Sequence, residues 1–168
     1  ESWIAMLKLT ESPSAICLTR QNIPVFDRKD KEFAAEGSVA EGAYIFRKEK
    51  DPKKLDGILI GTGSEVHLCV DAARHLEKEG KSVRVVSMPC WELFQAQKKE
   101  YQDKVLPPAV TTRVAVEAGI SLGWERWIGS KGTTVSIDHY GTSAPAKDLA
   151  REYGFTPENV VAKFLEIV

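Results

Sequence analysis

Gly57-Ile58-Leu59-Ile60-Gly61-Thr62-Gly63-Ser64-Glu65-Val66 is the stretch that decides the fold. Its first five residues carry no charge and are bounded by glycine. A strand with one wet face would alternate apolar and polar residues, so this one is expected to be covered on both faces. Gly61 and Gly63 mark a sharp turn. Residues 65–79 then place Val66, Cys69, Val70, Ala73 and Leu76 on one face at helical spacing. Thr62 and Glu65 have the spacing of a capping box, and Gly80 suits the helix stop. A covered strand running into an amphipathic helix is half of a parallel β–α–β unit.

The alternation continues downstream. Residues 83–87 read as a strand that ends at Met88-Pro89, and residues 93–105 as a polar helix that stops at Pro107-Pro108. Strands follow at 112–117 and 133–137. Two helices close the chain. Pro145 suits the first helical position of one, and Gly154 its stop. Thr156-Pro157 gives the other an N-cap and a proline at N1, with Val160, Val161, Phe164, Leu165 and Val168 as its buried stripe. Strands alternating with helices predict a largely parallel, covered sheet.

Upstream, residues 43–46 read as a strand, 51–54 as a charged turn, and the charge run at 47–54 as a solvated loop. Residues 25–42 are rich in charge and glycine and read as a surface linker, with a domain boundary near its end. Ala15, Ile16, Cys17 and Leu18 predict a short buried strand over 14–19, followed by the polar turn Arg20-Gln21-Asn22-Ile23-Pro24. Trp3, Ile4 and Leu7 fall at helical spacing. The chain opens on Glu1 inside that helix, which reads as a truncated or proteolysed chain whose first helix lacks a partner.

Composition narrows the function classes. The 168 residues are 43% hydrophobic and 28% charged with a formal net charge of −1. No basic excess points to nucleic acid or to a membrane surface, and no run approaches the ~20 apolar residues of a membrane-spanning helix. Cys17, Cys69 and Cys90 are too few and too widely spaced for a disulfide framework and read as small buried hydrophobes. Cys90, after Pro89 at a strand exit, is the one candidate for a reactive thiol. His67, His75 and His139 lack the spacing of metal ligands and read as structural.

Three other features are candidates for chemistry. Gly61-Thr62-Gly63-Ser64-Glu65 lies where backbone N–H groups at a helix start can hold a phosphate. However, Val66 stands where a dinucleotide fingerprint has its third glycine, and a tight turn explains the glycines as well. Arg113 and Glu117 lie on and just after an apolar strand and read as a ligand-facing pair or as a buried ion pair. Arg20 directly follows the 14–19 stretch. Its forked donors match phosphate or carboxylate oxygens in pairs, and a structural ion pair is the competing reading.

Leu18-Thr19-Arg20-Gln21-Asn22-Ile23-Pro24 resembles a transketolase motif. So do Gly61-Thr62-Gly63-Ser64-Glu65-Val66, Val85-Val86-Ser87-Met88-Pro89 and Arg113-Val114-Ala115-Val116-Glu117-Ala118-Gly119. Gly141-x-Ser143-Ala144-Pro145 and Gly154-Phe155-Thr156 complete an ordered set spanning essentially the whole chain. The β subunits of 2-oxo acid dehydrogenases share the architecture but fit these motifs less well.

The resemblance implies a thiamine-diphosphate-dependent transferase that moves a two-carbon ketol unit between sugar phosphates in the pentose phosphate pathway. It implies an α/β three-layer sandwich with a mixed, mostly parallel sheet. Residues 1–40 would be the tail of the pyrimidine-binding domain and its linker, and residues 41–168 the C-terminal domain. Arg20 matches the arginine that binds the substrate phosphate. Catalytic, cofactor and metal residues are expected upstream, so that thiamine diphosphate and Mg²⁺ (or Ca²⁺) are not held by this chain and the chain alone is inert. The parent enzyme would be a cytoplasmic homodimer, or plastidic in a photosynthetic eukaryote. Competing readings are a nucleotide- or anion-binding regulatory module built on residues 61–65, the C-terminal domain of another thiamine diphosphate enzyme, and a purely structural oligomerisation domain.

Overall fold

The computed structural model describes residues 1–29, 31–35 and 38–168. Five strands form one sheet: β1 (Tyr44–Arg47), β2 (Gly57–Gly61), β3 (Val83–Ser87), β4 (Arg113–Val116) and β5 (Thr133–Val135), in the order β1-β3-β2-β4-β5. β1 runs antiparallel to β3, and every other pairing is parallel. The sheet is therefore mixed and mostly parallel. Central β2 and β3 are buried along their whole length; β2 is apolar throughout, while β3 carries Arg84 and Ser87 under cover with its valines.

Seven helices accompany the sheet among the described residues: α1 (Ser2–Lys8), α2 (Val66–Lys78), α3 (Trp91–Gln95), α4 (Lys99–Val105), α5 (Glu125–Ile128), α6 (Ala146–Glu152) and α7 (Pro157–Leu165). Strand alternation divides the core into two layers. Leu59, Val83, Val85, Val114 and Val116 face one side and meet Cys69, Val70, Ala73 and Leu76 of α2 with Val160 and Phe164 of α7. Ile58, Ile60, Val86 and Ala115 face the other and meet Phe94, Val105, Trp124, Trp127 and Ile128. The result is a three-layer sandwich, as expected.

Helix ends follow local chemistry. Gly80 takes φ +79° just after α2, and Gly154 takes φ +76° after α6. The Thr156 hydroxyl accepts from the Asn159 N–H at 3.2 Å, so the N-cap of α7 forms as its sequence directs. Pro145 is one residue early, as N-cap of α6 rather than its first helical residue. The expected capping box at α2 does not form. Residues Gly63–Glu65 make a turn of 3₁₀ helix instead, and the Thr62 hydroxyl is taken by Glu117.

Other expectations fail for identifiable reasons. Residues 14–19 form no strand, and Leu18 is 77% exposed. A strand needs a partner for its N–H and C=O groups, and no described strand pairs with this segment. Cys17 is exposed with it, so the buried-hydrophobe reading holds for Cys69 alone, while Cys90 is half-buried. The helix expected over 93–105 is two helices. The Gln102 side-chain amide donates to the carbonyls of Phe94, Gln95 and Gln97, which serves the break between them. Leu165 and Val168 are exposed, and Ile167 packs on the core in their place.

The linker and the charge run are also less solvated than expected. Phe26 and Phe33 of the linker stack with Phe46 of β1, with ring centroids 4.8–5.2 Å apart. Glu32 binds Arg47 at 2.6 Å and Arg74 at 3.0 Å, and Arg47 also binds Glu77 at 2.6 Å. Glu49, largely covered, pairs with Arg84 at 2.6 Å. Asp30, Glu36 and Gly37, which the linker reading includes, lie outside the described residues.

Candidate functional site

The parallel strands bring two loops together beyond the carboxyl ends of β2 and β4. The chain leaves β2 toward α2 on one face and leaves β4 toward α5 on the other. Such a reversal opens a crevice between neighbouring strands, where α/β proteins place ligands. Here Glu117 occupies it. One carboxylate oxygen accepts from the Thr62 hydroxyl at 3.3 Å and the other from the Trp124 indole N–H at 2.9 Å. Trp91 stacks edge-on against Trp124 at 5.0 Å.

Arg113 does not pair with Glu117. The two lie at opposite ends of β4, and four residues of strand separate their backbones by roughly 13 Å. Arg113 instead donates to the carbonyls of Leu106, Pro107, Val110 and Trp127 at 2.5–3.1 Å. It thus ties the end of α4 to the end of α5, where orphan carbonyls need donors. Arg84 does the same for the carbonyls of Lys104 and Val105.

Gly61-Thr62-Gly63 needs its glycines for steric reasons. A Cβ on Gly61 would lie 2.9 Å from the Val66 Cα, and Gly63 has φ +47°. The turn is already furnished with a negative charge at the helix start, since Glu65 sits there and accepts from the Ser64 hydroxyl at 2.6 Å. The Ser64 carbonyl contacts the ring of His67. With Glu65 and Glu117 both at this end of the sheet, the crevice offers carboxylates where a phosphate needs cations.

Cys90 is poorly suited to nucleophilic work. Burial pushes its thiol up from the usual value, and the carboxylate of Glu92, 3.4 Å from the sulfur, pushes the same way. Burial likewise raises Cys69. His139 lies at the surface, edge-on to Tyr153 at 4.9 Å. Among the described residues no group of three or more His, Cys, Asp or Glu side chains could hold a metal ion. Arg20 stands apart from all of this. It is exposed in a bend and makes no hydrogen bond or ion pair with another described residue.

Two residues of the site were not singled out in the sequence. Trp124 and Trp127 are buried, 1% and 7% exposed, in a segment that carried no periodicity. Their spacing of three residues was the available signal, and the four-residue helix α5 was too short for it to stand out.

A family model described as the transketolase-like TK C-terminal domain matches residues 42–156. The transketolase of Geobacillus stearothermophilus is 47% identical over 162 residues, which is 96% of this chain and 24% of that protein. Among solved structures, transketolase from Leishmania mexicana superimposes with a TM-score of 0.72 at 42% identity, covering 80% of this chain and 19% of that one. A Pichia stipitis transketolase in complex with sedoheptulose 7-phosphate gives a TM-score of 0.76 at 31% identity, over 88% of this chain and 20% of that one. The chain belongs to the transketolase family, in which it represents the C-terminal domain. It spans about a quarter of the length of the curated relatives it matches.

Proposed function

We propose that this chain is the C-terminal part of a ketol transferase that moves a two-carbon unit between sugar phosphates, and that the chain on its own is noncatalytic. The observation that carries this reading is the similarity to transketolase along nearly the whole chain, 96% of it at 47% identity. Residues 1–40 are the tail of the pyrimidine-binding domain with its linker, and residues 41–168 the C-terminal domain. The start of the family match at residue 42 supports that boundary. Packing of Phe26 and Phe33 on Phe46 of β1 supports reading this segment as a linker fastened to the sheet that follows it.

Within the longer protein, Arg20 binds the phosphate of the sugar. Its guanidinium has no competing partner among the described residues, and a forked cation suits phosphate oxygens better than any other side chain does. Thiamine diphosphate with a divalent cation would supply the carbanion chemistry. The residues of this chain do not fit that group. The strand-end crevice carries Glu117 and Glu65 rather than cations, and no cluster of metal ligands lies among the described residues. We therefore place the cofactor in segments upstream, with Mg²⁺ or Ca²⁺. The working enzyme is a homodimer in the cytoplasm, or in the plastid of a photosynthetic cell.

A coupled ketol-transfer assay tests the noncatalytic reading. With xylulose 5-phosphate, ribose 5-phosphate, thiamine diphosphate and Mg²⁺, the 168-residue chain is expected to give no turnover. Turnover by a preparation whose intact mass excludes longer species would place catalytic residues inside this chain and overturn the reading.

A further inference from the structure

Large apolar side chains stand exposed beyond the carboxyl ends of β4 and β5. Ile120 and Leu122 lie in the loop after β4, and Tyr140 in the loop after β5; they are 56%, 75% and 99% exposed. A single exposed apolar residue is ordinary. These three sit on loops that are fixed side by side. The Ile137 N–H donates to the Gly119 carbonyl at 2.7 Å, and the Ser121 N–H to a carboxylate oxygen of Asp138 at 2.8 Å. Apolar groups gathered on one ordered face mark a surface that something else covers.

The same end of the sheet receives the first helix. β1 is antiparallel to β3 and pairs Tyr44 with Ser87, so the 3₁₀ turn Ser38–Glu41 that precedes β1 lies beyond the carboxyl end of β3. α1 rests on that turn, where the Val39 N–H donates to the Glu1 carboxylate at 3.4 Å. Gly42 then lies against the start of α3: a Cβ there would come 2.5 Å from the Cys90 carbonyl oxygen. The Trp91 ring meets Trp124 and also Gly123, the neighbour of Leu122, where a Cβ would come 2.8 Å from it. An unbroken run of contacts thus leads from α1 to Leu122 along this edge. Trp3, Ile4 and Leu7 of α1 are exposed as well. In the curated relatives, of which this chain spans about a quarter and matches the C-terminal domain, the greater part of the protein precedes the matched segment.

We propose that Ile120, Leu122 and Tyr140 form a docking face for the part of the longer protein that precedes Glu1, which enters along α1. This rests on reading the chain as the C-terminal part of a longer ketol transferase. The occupant presents an apolar surface, to match the side chains offered to it. It belongs to the same polypeptide, because that polypeptide already reaches this edge at α1 and needs no second copy to cover it.

Hydroxyl-radical footprinting of the full-length protein tests this with an internal standard of the same residue type. Tyr44 is 8% exposed in this chain and Tyr140 is 99% exposed. Once docked, Tyr140 is expected to oxidise about as slowly as Tyr44. Leu122→Glu puts a charge into the docked face without touching the core of this domain, and is expected to raise Tyr140 oxidation about tenfold. Benzoylphenylalanine in place of Leu122 identifies the occupant by photo-crosslinking. The expected product runs at the monomer mass under denaturing conditions and joins residue 122 to a peptide that precedes Glu1. A product of dimer mass would give the face to a second copy and overturn the proposal. So would a Tyr140 that oxidises many times faster than Tyr44 in the full-length protein. A covered Tyr140 with the expected crosslink, in a preparation that shows no ketol transfer, would support the face and contradict the transferase reading.

Discussion

Phe164→Ala is expected to cost the chain about 3–5 kcal/mol of stability, read as a lowered midpoint of denaturant unfolding at unchanged slope. Phe164 is fully buried at the centre of the layer that α2 and α7 form on the sheet. Its ring lies directly over Gly57, where an added Cβ would come within 2.4 Å of it. That contact explains why the first residue of β2 has no side chain: the helix ring takes the space. The cavity left by alanine is walled by strands β2 and β4 and by α2, which are too well tied together to collapse into it. A loss under 1 kcal/mol would mean that α7 is not docked as described.

Glu49→Ala is expected to cost a similar amount, about 3–5 kcal/mol, because it leaves a buried guanidinium without its counter-ion. The side chains of Glu49 and Arg84 are 12% and 10% exposed, and two hydrogen bonds of 2.6 and 2.9 Å join them. Replacing both by apolar residues of similar volume, Glu49→Leu with Arg84→Met, should recover most of the loss. The pair also has a pH signature. Burial pulls the Glu49 carboxyl upward, but its bonds to Arg84 outweigh burial and hold it below the usual value. A depressed folded value means the stabilisation is present above the unfolded value near 4.3 and fades as pH falls through the folded one. The stability gap between the wild type and Glu49→Gln should therefore narrow as pH drops below about 4. A gap that widened in acid would contradict the pairing.

The sheet was legible because its central strands announce themselves. β2 is apolar without interruption, which only a doubly covered strand tolerates, and the face of α2 keeps strict helical spacing. Glycine and proline marked the ends of α2, α6 and α7 through backbone geometry alone. What failed depended on tertiary partners. The 14–19 stretch has strand composition, but composition supplies no neighbour to pair with. The 47–54 run looked solvated because single charges read as surface, while Arg47 and Glu49 are each drawn out of full exposure by a partner some 30 or more residues away, Glu77 and Arg84. Arg113 and Glu117 looked like a pair because they are close in sequence. A strand's rise keeps them apart, and the true partners of Glu117, Thr62 and Trp124, come from other elements.

The candidate site divides the same way. Arg20 stood out by residue type and position, before any geometry, and its exposure leaves its fork open.

The most direct test of the central reading is Arg20→Ala in the full-length protein, assayed with phosphorylated and unphosphorylated ketol donors. A charge-assisted contact to the sugar phosphate contributes ~1.5–3 kcal/mol. The KM for xylulose 5-phosphate should therefore rise roughly 10- to 100-fold, with thiamine diphosphate affinity and turnover of the unphosphorylated donor nearly unchanged. An unchanged KM for the phosphorylated donor would remove Arg20 from the substrate site and contradict the account.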